Sequence, residues 1–167
     1  MFKSISPYDL SANPFCSFDR QWTLITIRGK DGRVNPMTAS WGGFGIMWNK
    51  PVVTCYVRPQ RYTYDLLCDT DSFSLCFLGE QYREALQLCG RVSGRDCDKL
   101  AETGLTAALD LDTPYIEQSE LVLTCRTLLC QQLDPDCFLD PTIDEKFYNG
   151  DHHYMYIAEI TDCLIRE

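Results

Sequence analysis

The chain has 167 residues, 45% of them hydrophobic, and a formal net charge of −9. A chain of this length forms one domain with a real core, burying roughly 70% of the surface its unfolded form exposes. Its acidic balance opposes extended contact with nucleic-acid phosphates or an anionic membrane, both of which depend on clustered Lys and Arg. Neither is an expected partner.

The opening stretch MFKSISPYDLSANPF lacks the apolar run of a signal peptide. No later stretch reaches the ~20 apolar residues of a membrane-spanning helix, so a cytoplasmic protein is expected. Ten cysteines raise the question of a disulfide framework. Several fall inside apolar alternation, Cys55 in VVTCYV, Cys76 in FSLCFL and Cys125 in LVLTCRTLL, where a thiol behaves as a small hydrophobe. Reduced thiols are the expectation, and no spacing supplies the four converging ligands of a zinc site.

In chain order, QWTLITIR (21–28) and NPMTASWGGFGI (35–46) read as strands. Asp31-Gly32 between them is a hairpin signal, because the turn needs positive φ. VVTCYV (52–57) and FSLCFL (73–78) follow, with a short helix expected over 61–68 whose inward face is Tyr64, Leu67 and Cys68. Over 80–89, Tyr82, Ala85, Leu86 and Cys89 fall at i, i+3, i+4 and i+7, an apolar helical stripe that Gly90 can stop. A second short helix is expected after Asp96, ending at Gly104. Two long strands, ELVLTCRTLLCQQ (120–132) and HYMYIAEITDCLI (153–165), complete the pattern. Six strands, early hairpins and few helices predict a mainly β fold, an antiparallel barrel decorated by short helices.

The motifs of several enzyme classes are missing. GGFG at 42–45 has the wrong spacing for a dinucleotide fingerprint, and there is no Walker loop, no G-x-S-x-G elbow and no C-x-x-C pair. What remains are two unusual stretches. Read as a strand, NPMTASWGG places Met37, Ala39 and Trp41 on one face and the small Thr38, Ser40 and Gly42 on the other. Such a face admits either close backbone packing or a flat ligand answered by hydroxyls and main-chain groups. VRPQRYT then carries Arg58, Arg61 and Thr63 to a helix N-terminus, where unpaired N–H groups favour an anion. Thr63 as a plain helix cap is the alternative.

Four blocks in order, NPMTASWGG, VVTCYVRPQRYTYDLL, LCGRVSGRDCDKLAETGLTA and GDHHYMYIAEI, together resemble the flavin reductase-like, FMN-binding split-barrel family of the flavoredoxin type. The resemblance runs over about residues 20 to 165. It implies a split barrel that binds FMN, with NADH or NADPH as a transient co-substrate and a flavin, ferric or protein acceptor. An FMN electron carrier reduced by a protein partner is the alternative, and homodimers are typical of the family. Residue by residue, it places Thr38, Ala39, Ser40 and Trp41 beside the isoalloxazine ring, Arg58, Arg61 and Thr63 around the phosphate, and Lys99 at the flavin. His153 is the implied catalytic residue, with its neighbour His152 in reserve. Ala158 stands where the family pattern has Gly, and a methyl there could hold the strand away from the flavin.

Overall fold

The structure, a computed structural model, describes residues 1–167. Ten strands form: β1 (Phe2–Ile5), β2 (Thr23–Arg28), β3 (Val34–Ala39), β4 (Gly42–Met47), β5 (Lys50–Val57), β6 (Ser72–Leu78), β7 (Ala107–Ala108), β8 (Tyr115–Ile116), β9 (Ser119–Gln132) and β10 (Tyr154–Arg166). Four α-helices accompany them: α1 (Tyr62–Asp69), α2 (Arg83–Arg91), α3 (Lys99–Thr103) and α4 (Pro141–Phe147). The main sheet runs β3-β2-β6-β9-β10-β5-β4, with β1 added to β10, and every pairing in it is antiparallel. Its two ends, β3 and β4, are consecutive in sequence yet do not pair. The architecture is a mainly β, antiparallel split barrel with short helices, and the split leaves one edge of β3 free of strand partners.

Period-two alternation builds both sides of the sheet. Ile25, Ile27, Phe73, Leu75, Phe77, Leu121, Leu123 and Cys125 point into the barrel. Their neighbours Leu24, Cys76, Leu78 and Val122 point out, into a second core covered by α2 and the β7–β8 hairpin. Cys55, Cys76 and Cys125 are buried in these two cores, in keeping with thiols used as small hydrophobes. No helix is long and apolar enough to cross a membrane.

Local chemistry explains most of the boundaries. Gly32 at φ 83° turns β2 into β3. The β4–β5 turn puts Trp48 (φ 50°) and Asn49 (φ 59°) both in the left-handed region, the signature of the mirror-image hairpin turn. Asp98 caps α3 by accepting from the N–H groups of Leu100 and Ala101, and Gly104 at φ 67° ends it.

Four expectations need correction. The stretch 35–46 is two strands, not one: after Ala39 the chain crosses from β2's side to β5's, so Trp41 leaves the face of Met37 and Ala39 and is 42% exposed. Gly42 makes that crossing, since a Cβ there would lie 2.5 Å from both the Phe18 ring and the Thr54 carbonyl. The helix over 80–89 opens as a 3-10 turn (Glu80–Tyr82), continues as α2 and runs through Gly90 to Arg91. Gly90 sits inside the helix against β3, where a Cβ would rest at contact distance, 3.4 Å, from Thr38 Cβ. In α1 the buried residues are Thr63, Leu66 and Leu67, while Cys68 is exposed. Finally, β1, β4, the small β7–β8 pair, a π-helical turn (Cys16–Gln21) and α4 add to the expected elements.

Candidate functional site

The free edge of β3 is where the site forms. Pro36 has no N–H to offer, which suits an edge strand, and its carbonyl accepts from Lys99 Nζ at 2.9 Å, so residue 36 turns its main chain away from β2. With a period of two, Thr38 turns its N–H and C=O the same way. The Thr38 side chain is already used: its hydroxyl donates to the Leu86 carbonyl of α2. What Thr38 can give a ligand is therefore its main chain and a hydroxyl lone pair.

Against this edge lies a depression of about 290 Å³. Met37, Thr38, Ala39, Ser40 and Trp41 form one wall, Tyr56, Arg58 and His153 another, and Arg61 with Gly90 the end. A second depression of about 290 Å³ adjoins it, sharing Met37 and Arg61. Its lining is cationic: Arg61, Arg91, Arg95 and Lys99 against the single carboxylate of Asp96, with Thr63 and Ser93 supplying hydroxyls. It opens at the start of α1, whose N-cap residue, Arg61, provides no side-chain cap. Arg95 is already engaged, pairing with Asp65 and donating to the Gln60 carbonyl at 3.3 Å, so the unanswered N–H groups with Arg61, Arg91 and Lys99 make this an anion seat. Together the two depressions suit a flat ring with a phosphorylated tail.

Seven of the nine residues singled out from the sequence, Thr38, Ala39, Ser40, Trp41, Arg58, Arg61 and His153, line the first depression. Arg61, Thr63 and Lys99 line the second. Arg61 sits at the junction, with Nη2 donating to the Gly90 carbonyl at 2.6 Å and Nε near the Met37 sulfur at 3.4 Å. Burial pushes its pKa below the usual arginine value. Thr63 is not a helix cap: it lies in the first turn, 1% exposed, and accepts from Asn35 Nδ2 at 3.1 Å. Lys99 is buried and bridges β3 to α2 through Pro36 and Cys89 carbonyls, both at 2.9 Å. Burial drives its pKa down to about 8.

Arg58 is placed differently from the phosphate role that the resemblance gives it. It is absent from the cationic depression and binds the segment before β10, pairing with Asp151 and donating to the Phe147 carbonyl at 2.8 Å. The histidines also separate. His153 lines the ring-sized depression, 5.1 Å from the Trp41 ring, with Nδ1 3.0 Å from the Tyr148 hydroxyl. Burial, then the Arg58 charge, lowers its pKa to about 4, so it is a neutral imidazole at pH 7. His152 turns away to Asp144, at 2.6 Å, and stacks on Tyr148. Ala158 lies fully buried in the barrel core and lines neither depression, so its methyl does not meet the site.

Arg91 and Arg95 are the functional candidates that sequence reading missed. Arg95 stands inside the quoted S-G-R-D block, and Arg91 ends an amphipathic helix. The available signal was density: six of the chain's fifteen Lys and Arg residues fall between 58 and 99, and all of them but Arg83 line one of the two depressions. Gly94 keeps this corner tight, since a Cβ would meet Asn35 Oδ1 at 2.0 Å.

Comparison with solved structures finds the same fold at low identity. The chain superposes on flavoredoxin of Desulfovibrio vulgaris (Miyazaki F) with a TM-score of 0.69 at 22% identity, covering 98% of this chain and 76% of that one. It matches flavoredoxin from Methanosarcina acetivorans with a TM-score of 0.70 at 22% identity, over 88% and 69%. It matches an FMN-binding domain of a flavin reductases-like enzyme from Shewanella baltica OS155 with a TM-score of 0.70 at 15% identity, over 99% and 77%. No curated protein matches in sequence. The family model for the flavin reductase like domain matches residues 15–167, and the chain belongs to that family.

Proposed function

We propose that this chain is a flavin reductase-like oxidoreductase that holds FMN along the free edge of β3 and passes electrons from NADH or NADPH to a flavin, ferric or protein acceptor. The observation that carries the reading is the junction at Arg61, where an open strand edge meets a cationic depression at a helix N-terminus. The residues present fit the cofactor. FMN, when bound, supplies the hydride acceptor and the onward electron donor.

The chain's own groups do the rest. The Thr38 main chain and the Ser40 hydroxyl answer the polar edge of the ring. Arg61, Arg91 and the first N–H groups of α1 hold the phosphate, with Lys99 beneath them. His153, kept neutral, lines the ring-sized depression while its Nδ1 meets Tyr148. It positions a nicotinamide amide by hydrogen bonding and does not protonate it. With no dinucleotide fold in the chain, the nicotinamide must reach transfer distance, about 3 to 3.5 Å, from the open side of the site, so binding is transient. The same reading takes the chain as one cytoplasmic domain that forms a homodimer. Exposed Ile46, Met47 and Trp48 at the edge strand β4 provide apolar surface for the pairing.

The test is calorimetric titration of FMN into flavin-free protein, followed by anaerobic stopped-flow mixing with NADH and with NADPH. Uptake and bleaching of the flavin absorbance are expected. Uptake without bleaching by either nucleotide indicates a carrier reduced by a protein partner. No uptake of FMN refutes the reading.

A further inference from the structure

We propose that Arg58 is a positioning residue that latches the segment 133–151 against Trp41 and His153, and not a ligand of the cofactor phosphate. The inference rests on the FMN reading above for its consequence, but its geometry stands without it. Segment 133–151 joins β9 to β10 and carries α4, yet none of its residues is buried. A helix without a buried face needs to be held by something else. Arg58 does this from three directions, all within five residues. One nitrogen pairs with Asp151, the other donates to the Phe147 carbonyl at 2.8 Å, and the guanidinium lies 5.2 Å from the Tyr148 ring centroid. Gln60, two residues on, adds a 2.7 Å bond to the same Asp151 carboxylate.

The residues so held are those that brace the ring-sized depression. Phe147 meets the Trp41 ring edge-on at 5.6 Å, and Tyr148 bonds His153 Nδ1. Trp41 is otherwise 42% exposed, so its orientation depends on Phe147 and His153. A guanidinium fork already filled by a carboxylate and a carbonyl has little left for a phosphate. The cationic seat does without it, because Arg61, Arg91 and Lys99 line that seat and Arg58 does not.

Lys146 is the one tryptic site between residues 133 and 151, so cleavage after it reads the latch directly in flavin-free protein. Arg58→Gln and Asp151→Asn are each expected to speed that cleavage about tenfold, as the open form becomes more populated. Both should also shift the part of the tryptophan emission that Trp41→Phe removes. Arg58→Lys keeps the charge but cannot span both acceptors, and is expected to behave like Arg58→Gln. In both Arg58→Gln and Asp151→Asn, the ratio of FMN to riboflavin affinity should stay at the wild-type value. The inference is overturned if Asp151→Asn tightens FMN relative to riboflavin while Arg58→Gln weakens it, the pattern of a freed and a lost phosphate ligand. It is equally overturned if cleavage at Lys146 is unchanged. Should Arg58→Gln not fold, Asp151→Asn decides alone. Failure of wild-type protein to bind any flavin would sink the cofactor reading and leave the cleavage result to judge the latch.

Discussion

Replacing Arg61 by Ala tests the anion seat most directly. In the structure Arg61 is the N-cap residue of α1 and the residue shared by both depressions. Its bond to the Gly90 carbonyl fixes the guanidinium while leaving other N–H donors for a ligand. Removing a charge-assisted bond to a phosphate costs about 1.5 to 3 kcal/mol, or about a 10- to 150-fold weaker FMN affinity. Riboflavin has the same ring and ribityl chain without the phosphate, so its affinity should move little. Losing the Gly90 contact affects both flavins alike and cancels in the ratio. The assay is fluorescence or calorimetric titration of wild type and Arg61→Ala with both ligands, at fixed ionic strength because exposed charge pairs are screened by salt. An equal loss for FMN and riboflavin would show that Arg61 shapes the pocket without meeting a phosphate.

Two further predictions concern titration. His153 has a pKa lowered to about 4 by burial, against about 6.5 in an unfolded chain. Between those values the unfolded state binds the extra proton, so stability rises with pH across that window and is lost as pH falls through it. Melting of flavin-free protein should show this slope, and His153→Gln should flatten it; an unchanged slope would remove the buried neutral imidazole. Lys99, at about 8 because of burial, should be driven back toward protonation by a neighbouring phosphate dianion. FMN binding near pH 8.5 should then take up protons, measured as the dependence of calorimetric heat on buffer ionisation enthalpy, while riboflavin binding should not. The same uptake in Lys99→Met would refute the assignment.

How much of this was legible in the chain follows from the kind of signal each element carries. β5, β6, β9 and β10 appear within about two residues of their expected bounds, because β-branched and aromatic alternation over six or more residues has few other readings. The Asp31-Gly32 turn and the Gly104 stop were equally plain, since each needs a backbone that glycine supplies. The break between β3 and β4 was not visible. Alternation continues through Ser40 and Trp41, and only the distant Phe18 ring and Thr54 carbonyl reveal why residue 42 must be glycine. Gly90 misled because it lies inside α2, packed against Thr38 fifty-two positions earlier, and makes no turn. The α4 start did carry a local signal in Asp140-Pro141, with Asp140 accepting from Thr142 N and Pro at the first helical position. Its apolar residues Ile143 and Phe147 have too short a run to declare a period.

The site shows the same division between local and distant information. Thr38 to Trp41 and Arg61 to Thr63 stand close together in sequence, so their joint placement follows from one strand and one helix start. The role of Arg58 depends on Asp151, ninety-three positions away, and no spacing within VRPQRYT distinguishes it from Arg61. Chain-wide charge is also a poor guide here. The formal net charge of −9 speaks against a polyanion that needs a wide basic face, but at physiological salt a charge is felt over only about 8 Å. A ligand at the Arg61 junction meets Arg91 and Lys99 as fellow lining residues, with Asp96 the one carboxylate of the lining and Arg95 paired to Asp65. An acidic chain therefore attracts a small anion at one place and repels it elsewhere, which favours a single phosphorylated ligand over nonspecific anion binding.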